Sequence, residues 1–379
     1  MLYLDHAATA PLRPEVRDAM LPYLTGVFGN PSSHHTVGEA AAEALEDARA
    51  RIARRLGFRA GDVIFTGGGT ESNNLAIKGI VLAALDRRRR HVVVSPIEHE
   101  SVLEPAEYLR RFHGVEVTTL PVDAAGRIAA DHLRAALRDD TALVSIGHAN
   151  NEIGTVQDVL ALSAVTKHAG VPLHVDAVQS AGWLPLDALG ADALSLAGHK
   201  IGAPKGIGVL AVRGRVPLEP LLHGGGQERG RRSGTENVAG AVAFATALDL
   251  AADEQDAVQE RVGAATARFT AAVLATVPNA AVTGDPVRRL PGCASFTFAG
   301  VHGETVLLEL ERRGIVSSSG SACAADSGEP SHVLLACGVD PDVAQTSVRF
   351  TFGREALPDD APERLAAIVA DAVRAASGI

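Results

Sequence analysis

Two residues at the ends of predicted strands carry the clearest chemistry in this chain. Asp176 ends an apolar run in Pro-Leu-His-Val-Asp, and Lys200 closes Ser-Leu-Ala-Gly-His-Lys just after another. A pyridoxal-phosphate site requires such a pair. The lysine amine holds the cofactor aldehyde as a Schiff base, and the carboxylate keeps the pyridine nitrogen protonated so that the ring accepts electrons. Either residue alone is also compatible with an ordinary surface position, so the assignment depends on the motifs around them.

The alternation of strand and helix patterns predicts how these residues are positioned. An amphipathic helix is expected over residues 39–56, with Gly57 as its C-cap. Helix-like segments separate most of the apolar runs, which is typical of a mainly parallel α/β sheet covered on both faces. A short turn between the last two runs favours one antiparallel pair. The runs are Val63–Phe65, His91–Val94, Val115–Thr118, Ala142–Ile146, Leu173–Val175, Ala193–Leu196 and Ile207–Val212.

The remainder of the chain predicts a smaller α+β domain. A long Ala-rich helix is expected from about residue 236 towards 277, with fewer strands after it. In a chain of 379 residues, we therefore expect a large cofactor-binding domain over residues 15–250, with residues 1–14 and 251–379 forming the small one. The predicted strands of the small domain are Ala294–Phe298, Ile315–Ser318 and Ser347–Phe352.

Composition limits the function class. A net charge of −10 argues against a general nucleic-acid or membrane surface, so neither partner is expected. No apolar stretch approaches the roughly 20 residues that span a bilayer, and the first residues lack the pattern of a signal peptide. Three cysteines fit a reducing cytosol without a disulfide framework. We expect a cytoplasmic protein.

Further polar motifs follow the other predicted strands, where open α/β sheets bind ligands. The run Gly67-Gly-Gly-Thr would bring backbone amides and the Thr70 hydroxyl to an anion at a helix N-terminus. His99 is suited to stacking on a flat cofactor and to moving protons, and Asn150 to binding a cofactor or substrate oxygen. Taken one at a time, each motif has a second interpretation. The glycine run also fits a tight turn, His99 a structural histidine and Asn150 an Asn-Asn turn. Candidates for the ring hydroxyl and the phosphate are, respectively, Gln179 and His199.

Ordered motifs over nearly the whole chain carry a family resemblance. They are Tyr3-Leu-Asp-His-Ala-Ala-Thr, Gly29-Asn-Pro-Ser-Ser-His, Gly69-Thr-Glu-Ser-Asn-Asn-Leu-Ala, Glu98-His, Ala149-Asn-Asn-Glu-Ile-Gly, His174-Val-Asp-Ala, Gly198-His-Lys, Pro204-Lys-Gly-Ile-Gly, Gly224-Gly-Gly-Gln-Glu, Arg232-Ser-Gly-Thr and Ser318-Ser-Gly-Ser-Ala-Cys. In this set and order, the chain resembles the cysteine desulfurases of the class V aminotransferase fold.

The resemblance implies a fold-type I pyridoxal-phosphate enzyme with a seven-stranded, mainly parallel sheet in its large domain. It also implies a homodimer with the site at the subunit interface, where Thr235 would reach the phosphate bound by the partner subunit. Asn150 and Arg349 would hold the substrate carboxylate, for which the arginine fork is well matched. The cofactor contacts that the resemblance implies are Gly69, Thr70, His99, Asn150, Asp176, Gln179, His199, Lys200 and Thr235.

The chain departs from the family pattern at a few positions. The family usually has Asn at position 6 and Ser at position 197, where this chain has His6 and Ala197. The serine hydroxyl normally binds the phosphate, and its loss would forfeit roughly 1.5–3 kcal/mol unless water replaces it. Cofactor affinity is therefore expected to be affected. Ala10 and Glu236 also differ from common choices, without a functional account.

The segment around Cys323 is expected to supply the nucleophile. Residues 317–330 are almost all small or polar, which predicts a mobile surface loop with an available thiol. With the resemblance, Cys323 becomes the candidate nucleophile. Cys337 lies on an apolar helix pattern and Cys293 precedes a strand, so both are expected to be structural.

The implied reaction converts L-cysteine to L-alanine and leaves a persulfide on Cys323. Lys200 would remove the Cα proton, and His99 would carry a proton for the substrate sulfur or the ring. The loop length resembles the long-loop group I, associated with a protein sulfur acceptor in iron–sulfur assembly or tRNA thiolation. The alternatives are a selenocysteine lyase, another class V pyridoxal-phosphate enzyme, or a catalytically silent sulfur-trafficking scaffold, which Ala197 favours.

Overall fold

The computed structural model describes residues 1–320 and 329–378. All the apolar runs expected in the larger part form strands. The strands are β1 Leu2–Tyr3, β2 Val63–Thr66, β3 His91–Val94, β4 Glu116–Thr119, β5 Thr141–Gly147, β6 Leu173–Asp176, β7 Ala193–Ala197, β8 Gly208–Val212, β9 Ala280–Val282, β10 Cys293–Phe298, β11 Ile315–Val316 and β12 Ser347–Thr351.

A seven-stranded sheet in the order β2-β8-β7-β6-β5-β3-β4 forms the centre of the larger part. From β7 to β4 the neighbouring strands are parallel, so their carboxyl ends share one edge of the sheet. This arrangement confirms the predicted mainly parallel α/β fold.

The antiparallel pairing of β8 was predicted only in part. It pairs antiparallel with β7, as expected, and also with β2. Spacing along the chain does not report the second pair, because β2 and β8 are far apart in sequence. The pairing of β2 with β8 brings Gly208 close to the glycine-rich turn that contains Gly68. The approach is so close that a Cβ on Gly208 would lie 2.5 Å from the carbonyl carbon of Gly68.

Helices cover both faces of this sheet and one face of the smaller part. The predicted helix over 39–56 begins slightly earlier, and Gly57 ends it in the left-handed conformation with φ 67°. The helices are α1 Pro14–Thr25, α2 Thr36–Leu56, α3 Gly69–Ala84, α4 Glu100–His113, α5 Ala130–Ala136, α6 Val159–Ala169, α7 Val238–Asp253, α8 Gln255–Thr276, α9 Gly303–Arg312, α10 His332–Ala336, α11 Pro341–Ala344 and α12 Ala361–Ala376.

The prediction of a single Ala-rich helix from about residue 236 is wrong. It is two helices, α7 and α8, that meet at Glu254. No glycine or proline marks the junction. The Glu254 carboxylate binds both terminal nitrogens of Arg13, at 3.1 and 2.6 Å, across 241 positions of sequence. Helical periodicity does not encode such a distant contact.

The smaller part has its own antiparallel sheet and its own core. The sheet order is β12-β10-β9, and β1 pairs in parallel with β11 beside it. The short strand β9 was not predicted. Phe269 of α8 packs edge-on against Phe350 of β12, with ring centroids 5.2 Å apart. This core is separate from the apolar clusters on the seven-stranded sheet. The residue boundaries proposed for the two domains stay a prediction.

Among residues 1–320 and 329–378, no helix combines the length and the apolarity needed to cross a membrane.

Candidate active site

The predicted cofactor residues meet in a cavity at the carboxyl edge of the seven-stranded sheet. Its volume is about 380 Å³. Most of the residues named from sequence line it, so neighbouring strand ends converge as expected for an open α/β sheet. The predicted residues in its wall are Gly69, Thr70, His99, Asn150, Asp176, Gln179, His199 and Lys200.

Lys200 reaches the cavity from a single 3₁₀ turn, Gly198–Lys200, that directly follows β7. Its ammonium donates to the carbonyl oxygens of Ala7 and Ala8, the second at 2.9 Å. The N-terminal segment therefore lies against the sheet edge and holds the amine beside the cavity. Lys200 is one of the residues that line the cavity.

Asp176 lies at the end of β6, on the cavity floor. Its Oδ1 accepts from the backbone N–H of Val178 at 2.9 Å, and its Oδ2 accepts from Asn73 Nδ2 at 2.7 Å. Part of the side chain faces the cavity, yet dense surrounding protein raises the pKa of Asp176 above its ordinary value. The two hydrogen bonds and the charge of Lys200 oppose that rise. A cationic partner in the cavity would favour the ionised form further.

Glu98 is a cavity residue that the sequence reasoning missed. It is buried, its Oε1 lies 2.6 Å from the Ser95 hydroxyl, and its Oε2 accepts from the Gly147 N–H at 2.7 Å. Burial raises its pKa to about 8, with a contribution from the charge of Asp176. The available signal was a carboxylate immediately after an apolar strand, but the adjacent histidine drew the functional assignment.

Asn73 and Ser101 were also missed, although both line the cavity. Asn73 is buried and donates through Nδ2 to Ser101 Oγ at 2.9 Å as well as to Asp176. Its Oδ1 is buried with no hydrogen-bond partner among the described residues. A buried amide oxygen without a donor is unusual and indicates room for a ligand. The signal in the sequence was its place in the first turn after the glycine-rich motif.

The glycine-rich turn ends at the N-terminus of α3, a helix of 16 residues. Gly68 has φ 153°, which a residue with a side chain rarely adopts. A Cβ on Gly69 would lie 2.9 Å from Val178 Cγ2 and 3.2 Å from Ala197 Cβ. Only glycine therefore fits this close approach, and the first amides of α3, with the exposed Thr70, are available to an anion.

His199 lies beside Lys200 at the same end of the cavity. Its Nδ1 is 3.2 Å from Thr9 Oγ1. Burial, and then the charges of Lys200 and Lys205, lowers the pKa of His199 to about 4. The ring is therefore neutral at pH 7 and suited to donating a hydrogen bond without adding charge.

Asn150 and Gln179 are largely engaged within the protein. Asn150 Nδ2 donates to the carbonyl oxygen of Ile97 at 2.8 Å, and its Oδ1 accepts from the N–H groups of Glu152 and Ile153. These contacts leave Asn150 one N–H to offer a ligand. Gln179 donates to the carbonyl oxygen of Ala7 at 3.0 Å and keeps its own oxygen towards the cavity side.

Arg349 lies on β12 behind the cavity wall and is not among the lining residues. Its Nη2 donates to Asp5 Oδ1 at 2.7 Å, and its Nη1 donates to the carbonyl oxygen of Asn151, also at 2.7 Å. Its Nε is buried without a partner among the described residues. The structure therefore brings Arg349 near the cavity through Asn151 but does not place it with the cofactor candidates.

Thr235 lies away from the cavity and is exposed to solvent. It belongs to an irregular segment held to the sheet by Glu228, whose carboxylate accepts from Arg49 at 2.7 and 3.0 Å and from the N–H of Phe65. Within this chain, Thr235 is not among the residues that line the cavity.

Cys323 lies outside the described residues. The residues on either side of that gap both contact Glu152, which is buried. Its carboxylate accepts from the Ser331 hydroxyl at 2.5 Å, and a Cβ on Gly320 would lie 3.0 Å from Glu152 Oε2. The other two cysteines, Cys293 and Cys337, are buried free thiols. Their positions agree with the structural role predicted for them.

Of the four departures from the family pattern, two lie near the site, and one of these, Ala197, is buried at the end of β7 against Gly69. His6 packs edge-on against Tyr3, with ring centroids 5.0 Å apart, and burial lowers its pKa. His6 also lines a small second cavity that includes Lys200. The substitution at position 6 therefore lies close to the lysine.

The fold and the Lys200–Asp176 cavity define a pyridoxal-phosphate enzyme of the aminotransferase type, and comparison with known proteins agrees. The aminotransferase class-V family matches residues 2–361. The cysteine desulfurase IscS of Dictyoglomus turgidum is 45% identical over 361 residues, covering 95% of this chain and 91% of that protein. The chain belongs to the class V aminotransferases and, within them, to the cysteine desulfurases. This family is pyridoxal-phosphate dependent.

Solved structures show the same architecture. A NifS-like protein superposes with a TM-score of 0.90 at 33% identity, covering 98% of each chain. SspA, solved in complex with cysteine, superposes with a TM-score of 0.82 at 35% identity and covers 94% of this chain and all of that one.

The residues present fit pyridoxal phosphate. A carboxylate on the cavity floor can face the ring nitrogen, and the orphaned Asn73 Oδ1 lies beside that carboxylate. Gly69 leaves no room for a side chain where the backbone must approach the phosphate. The amine of Lys200 lines the same cavity. The lysine, the carboxylate and the glycine-rich turn thus match the aldehyde, the pyridine nitrogen and the phosphate of pyridoxal phosphate, respectively.

Proposed function

We propose that this chain is a pyridoxal-phosphate-dependent cysteine desulfurase that converts L-cysteine to L-alanine and carries the sulfur as a persulfide on Cys323. The observation that supports this most is the convergence of Lys200 and Asp176 in one cavity at the ends of neighbouring strands. A cavity of this kind is compatible with several pyridoxal-phosphate reactions, and membership of the cysteine desulfurase family favours this one.

The cavity residues divide the work of holding the cofactor. Lys200 binds its aldehyde carbon, and Asp176 holds a proton on the pyridine nitrogen. Gln179 hydrogen-bonds the ring hydroxyl. The amides at the start of α3, with Thr70 and His199, bind the phosphate. When bound, pyridoxal 5'-phosphate supplies a conjugated ring that accepts the electrons of the substrate Cα–H bond.

The substrate is held by its carboxylate and activated at Cα. Arg349 has a buried Nε without a partner, which supports its role as the carboxylate-binding residue, and Asn150 offers its remaining N–H. The Lys200 amine would take the Cα proton, and a ring N–H of His99 would hydrogen-bond the substrate sulfur. SspA was solved with cysteine bound, which supports cysteine as the substrate here.

Sulfur transfer needs a thiolate and no outside oxidant. The Cys323 thiolate attacks the substrate Sγ, so that an S–S bond forms while the substrate Cβ–Sγ bond breaks. The electron pair of the broken bond stays with the three-carbon fragment, whose Cβ takes up a proton and whose Cα regains the proton that Lys200 removed. The net change converts L-cysteine and the Cys323 thiol into L-alanine and the Cys323 persulfide.

The persulfide is passed to a protein acceptor, either an iron–sulfur scaffold or a tRNA-thiolation enzyme. We also propose that the enzyme is a homodimer. Thr235 is exposed on a segment anchored by the buried Arg49–Glu228 ion pair, which suits a residue that reaches the phosphate of the partner subunit. Since persulfide chemistry needs reduced thiols, we expect the enzyme to work in the cytosol.

Two substitutions test the assignment. Cys323→Ser should keep the absorbance of the bound cofactor but form no alanine from cysteine, while Cys337→Ala, a buried thiol outside the site, should remain active. Lys200→Ala should lose the borohydride-reducible link between protein and cofactor. Normal alanine formation by Cys323→Ser, or a reducible link on Lys205, would refute the proposal.

A further inference from the structure

The His99 ring closes the N-terminus of α4. His99 is the N-cap residue, in an extended conformation, and its Nδ1 lies 3.0 Å from the backbone nitrogen of Ser101. That N–H belongs to the first helical turn, where no carbonyl within the helix is available to it. A backbone N–H can only donate. The Nδ1 atom must therefore present its lone pair and carry no hydrogen.

A second donor points at the same nitrogen. Ser101 Oγ lies 2.9 Å from His99 Nδ1 and 2.9 Å from Asn73 Nδ2. Because an amide nitrogen can only donate, Ser101 Oγ accepts from Asn73, and its own hydrogen is left for His99.

The orientation of the Asn73 amide is fixed in turn by Asp176. The other Asn73 Nδ2 hydrogen goes to Asp176 Oδ2 at 2.7 Å, and an ionised carboxylate can only accept. A flipped amide would set its oxygen against that carboxylate. Hydrogen bonds therefore run in one direction, from Asn73 to Asp176 on one side and through Ser101 to His99 on the other.

We infer that α4 and the Asn73–Ser101 pair fix the neutral His99 ring with its proton on Nε2, so that His99 acts on the substrate as a donor and not as a base. Asn73 and Ser101 are thus positioning residues. The His99 side chain is partly exposed, and its Nε2 lies 3.7 Å from the Glu100 carboxylate, which can only accept a hydrogen bond when ionised. The opposite tautomer would leave the Ser101 N–H without its acceptor.

For the reaction, this inference depends on the proposed function. The only lone pair of neutral His99 is committed to α4, so removal of the Cα proton falls to Lys200. His99 is left to donate a hydrogen bond to the substrate sulfur from Nε2.

Nitrogen NMR of the cofactor-loaded protein labelled with ¹⁵N-histidine tests the tautomer directly. The His99 signals are those absent from the spectrum of His99→Gln. We expect the Nδ1 shift to be that of an unprotonated nitrogen and the Nε2 shift that of a protonated one. A protonated Nδ1 in the neutral ring would overturn the inference. This readout does not require turnover, so it is separate from a failure to form alanine, which would refute the proposed function.

A variant series separates the two donors. Ser101→Ala removes the hydroxyl but keeps the backbone N–H, so the Nε2–H form should persist. Ser101→Pro removes both, at a helical position where proline is tolerated, and should release the Nδ1–H form. An unchanged tautomer in folded Ser101→Pro would contradict the assigned cause. If that variant does not fold, the spectrum of the unsubstituted protein still shows which ring nitrogen of His99 carries the proton.

Asn73→Ala tests the positioning role. Losing the donor that directs the Ser101 hydroxyl should lower kcat about tenfold, the scale of one hydrogen bond, with less change in KM. The matched control is Asn74→Ala, because Asn74 is the next residue of α3, is partly exposed, and donates to the Thr70 carbonyl oxygen at 3.0 Å. Equal kcat in the two variants would show that Asn73 does not act through His99.

Discussion

Asp5 and Arg349 form a buried ion pair across 344 positions of sequence, with Oδ1 and Nη2 2.7 Å apart. The pair joins the N-terminal segment, whose next residues bind Lys200, to the strand that carries the proposed carboxylate-binding arginine. The guanidinium is 3% exposed. A charge so well buried depends on its partner for stability as well as for orientation.

Removing the carboxylate should therefore destabilise the protein. Asp5→Ala leaves Arg349 with a buried, unpaired charge, and we expect the free energy of unfolding to fall by about 3 kcal/mol. Asp5→Asn keeps an oxygen acceptor and should lose less. Urea unfolding of both variants measures the difference. A loss below about 0.5 kcal/mol for Asp5→Ala, the usual size of a surface change, would show that the pair contributes little.

Glu98 should make stability depend on pH. Its pKa is about 8 in the folded protein against an ordinary value of 4.5, so between these values the folded state binds the extra proton. Stability contributed by this group is complete below pH 4.5 and falls as the pH rises to about 8, at most by about 1.4 kcal/mol per pH unit.

Glu98→Gln isolates this effect, because the neutral amide can donate to Ser95 and accept from the Gly147 N–H, as the protonated acid does. We expect the unfolding free energy of the variant, relative to the native sequence, to rise steadily between pH 5 and 8. Urea unfolding at each pH measures it. Parallel pH curves for the two proteins would mean that Glu98 is ionised throughout.

The sequence predicted the site where the chemistry is local. Asp176 ends an apolar strand, and Lys200, His99 and Asn150 each come within five residues of the end of one. Parallel strands bring their carboxyl ends to one edge. That rule does not say which of two adjacent polar residues points inward, so His99 was chosen and its neighbour Glu98 was overlooked. The direction of a side chain in a turn depends on contacts with other strands.

Distant contacts were beyond the sequence patterns. The Asp5–Arg349 pair, the junction at Glu254 and the antiparallel pairing of β2 with β8 all join segments far apart in the chain. Periodicity within a window reports only which face of an element is buried. These features follow instead from how the two sheets and the N-terminal segment pack together.

Glu152 should control the rate through the ends of the segment that carries Cys323. It accepts from the Ser331 hydroxyl on one side, and a Cβ on Gly320 on the other side would lie 3.0 Å from its Oε2. Burial raises its pKa. Glu152→Ala removes the bond to Ser331 and the side chain beside Gly320, and we expect about a tenfold fall in the rate of persulfide formation on Cys323, with the cofactor spectrum unchanged. Ser331→Ala, which removes one contact, should have a smaller effect. A defect confined to KM would instead indicate that Glu152 acts through Arg349.

Replacing Ala197 should strengthen cofactor binding. Ala197 ends β7 next to Gly69, where the family usually has serine, and a hydroxyl there can donate to the phosphate. A hydrogen bond to a charged group contributes about 1.5–3 kcal/mol, so Ala197→Ser should lower the Kd for pyridoxal phosphate at least about tenfold. Titration of the cofactor-free protein measures it. Ala193→Ser places the same hydroxyl at the far end of β7 and should leave the Kd unchanged. If Ala197→Ser binds no tighter, another donor already fills that position at the phosphate, and His199 is then the residue to substitute next.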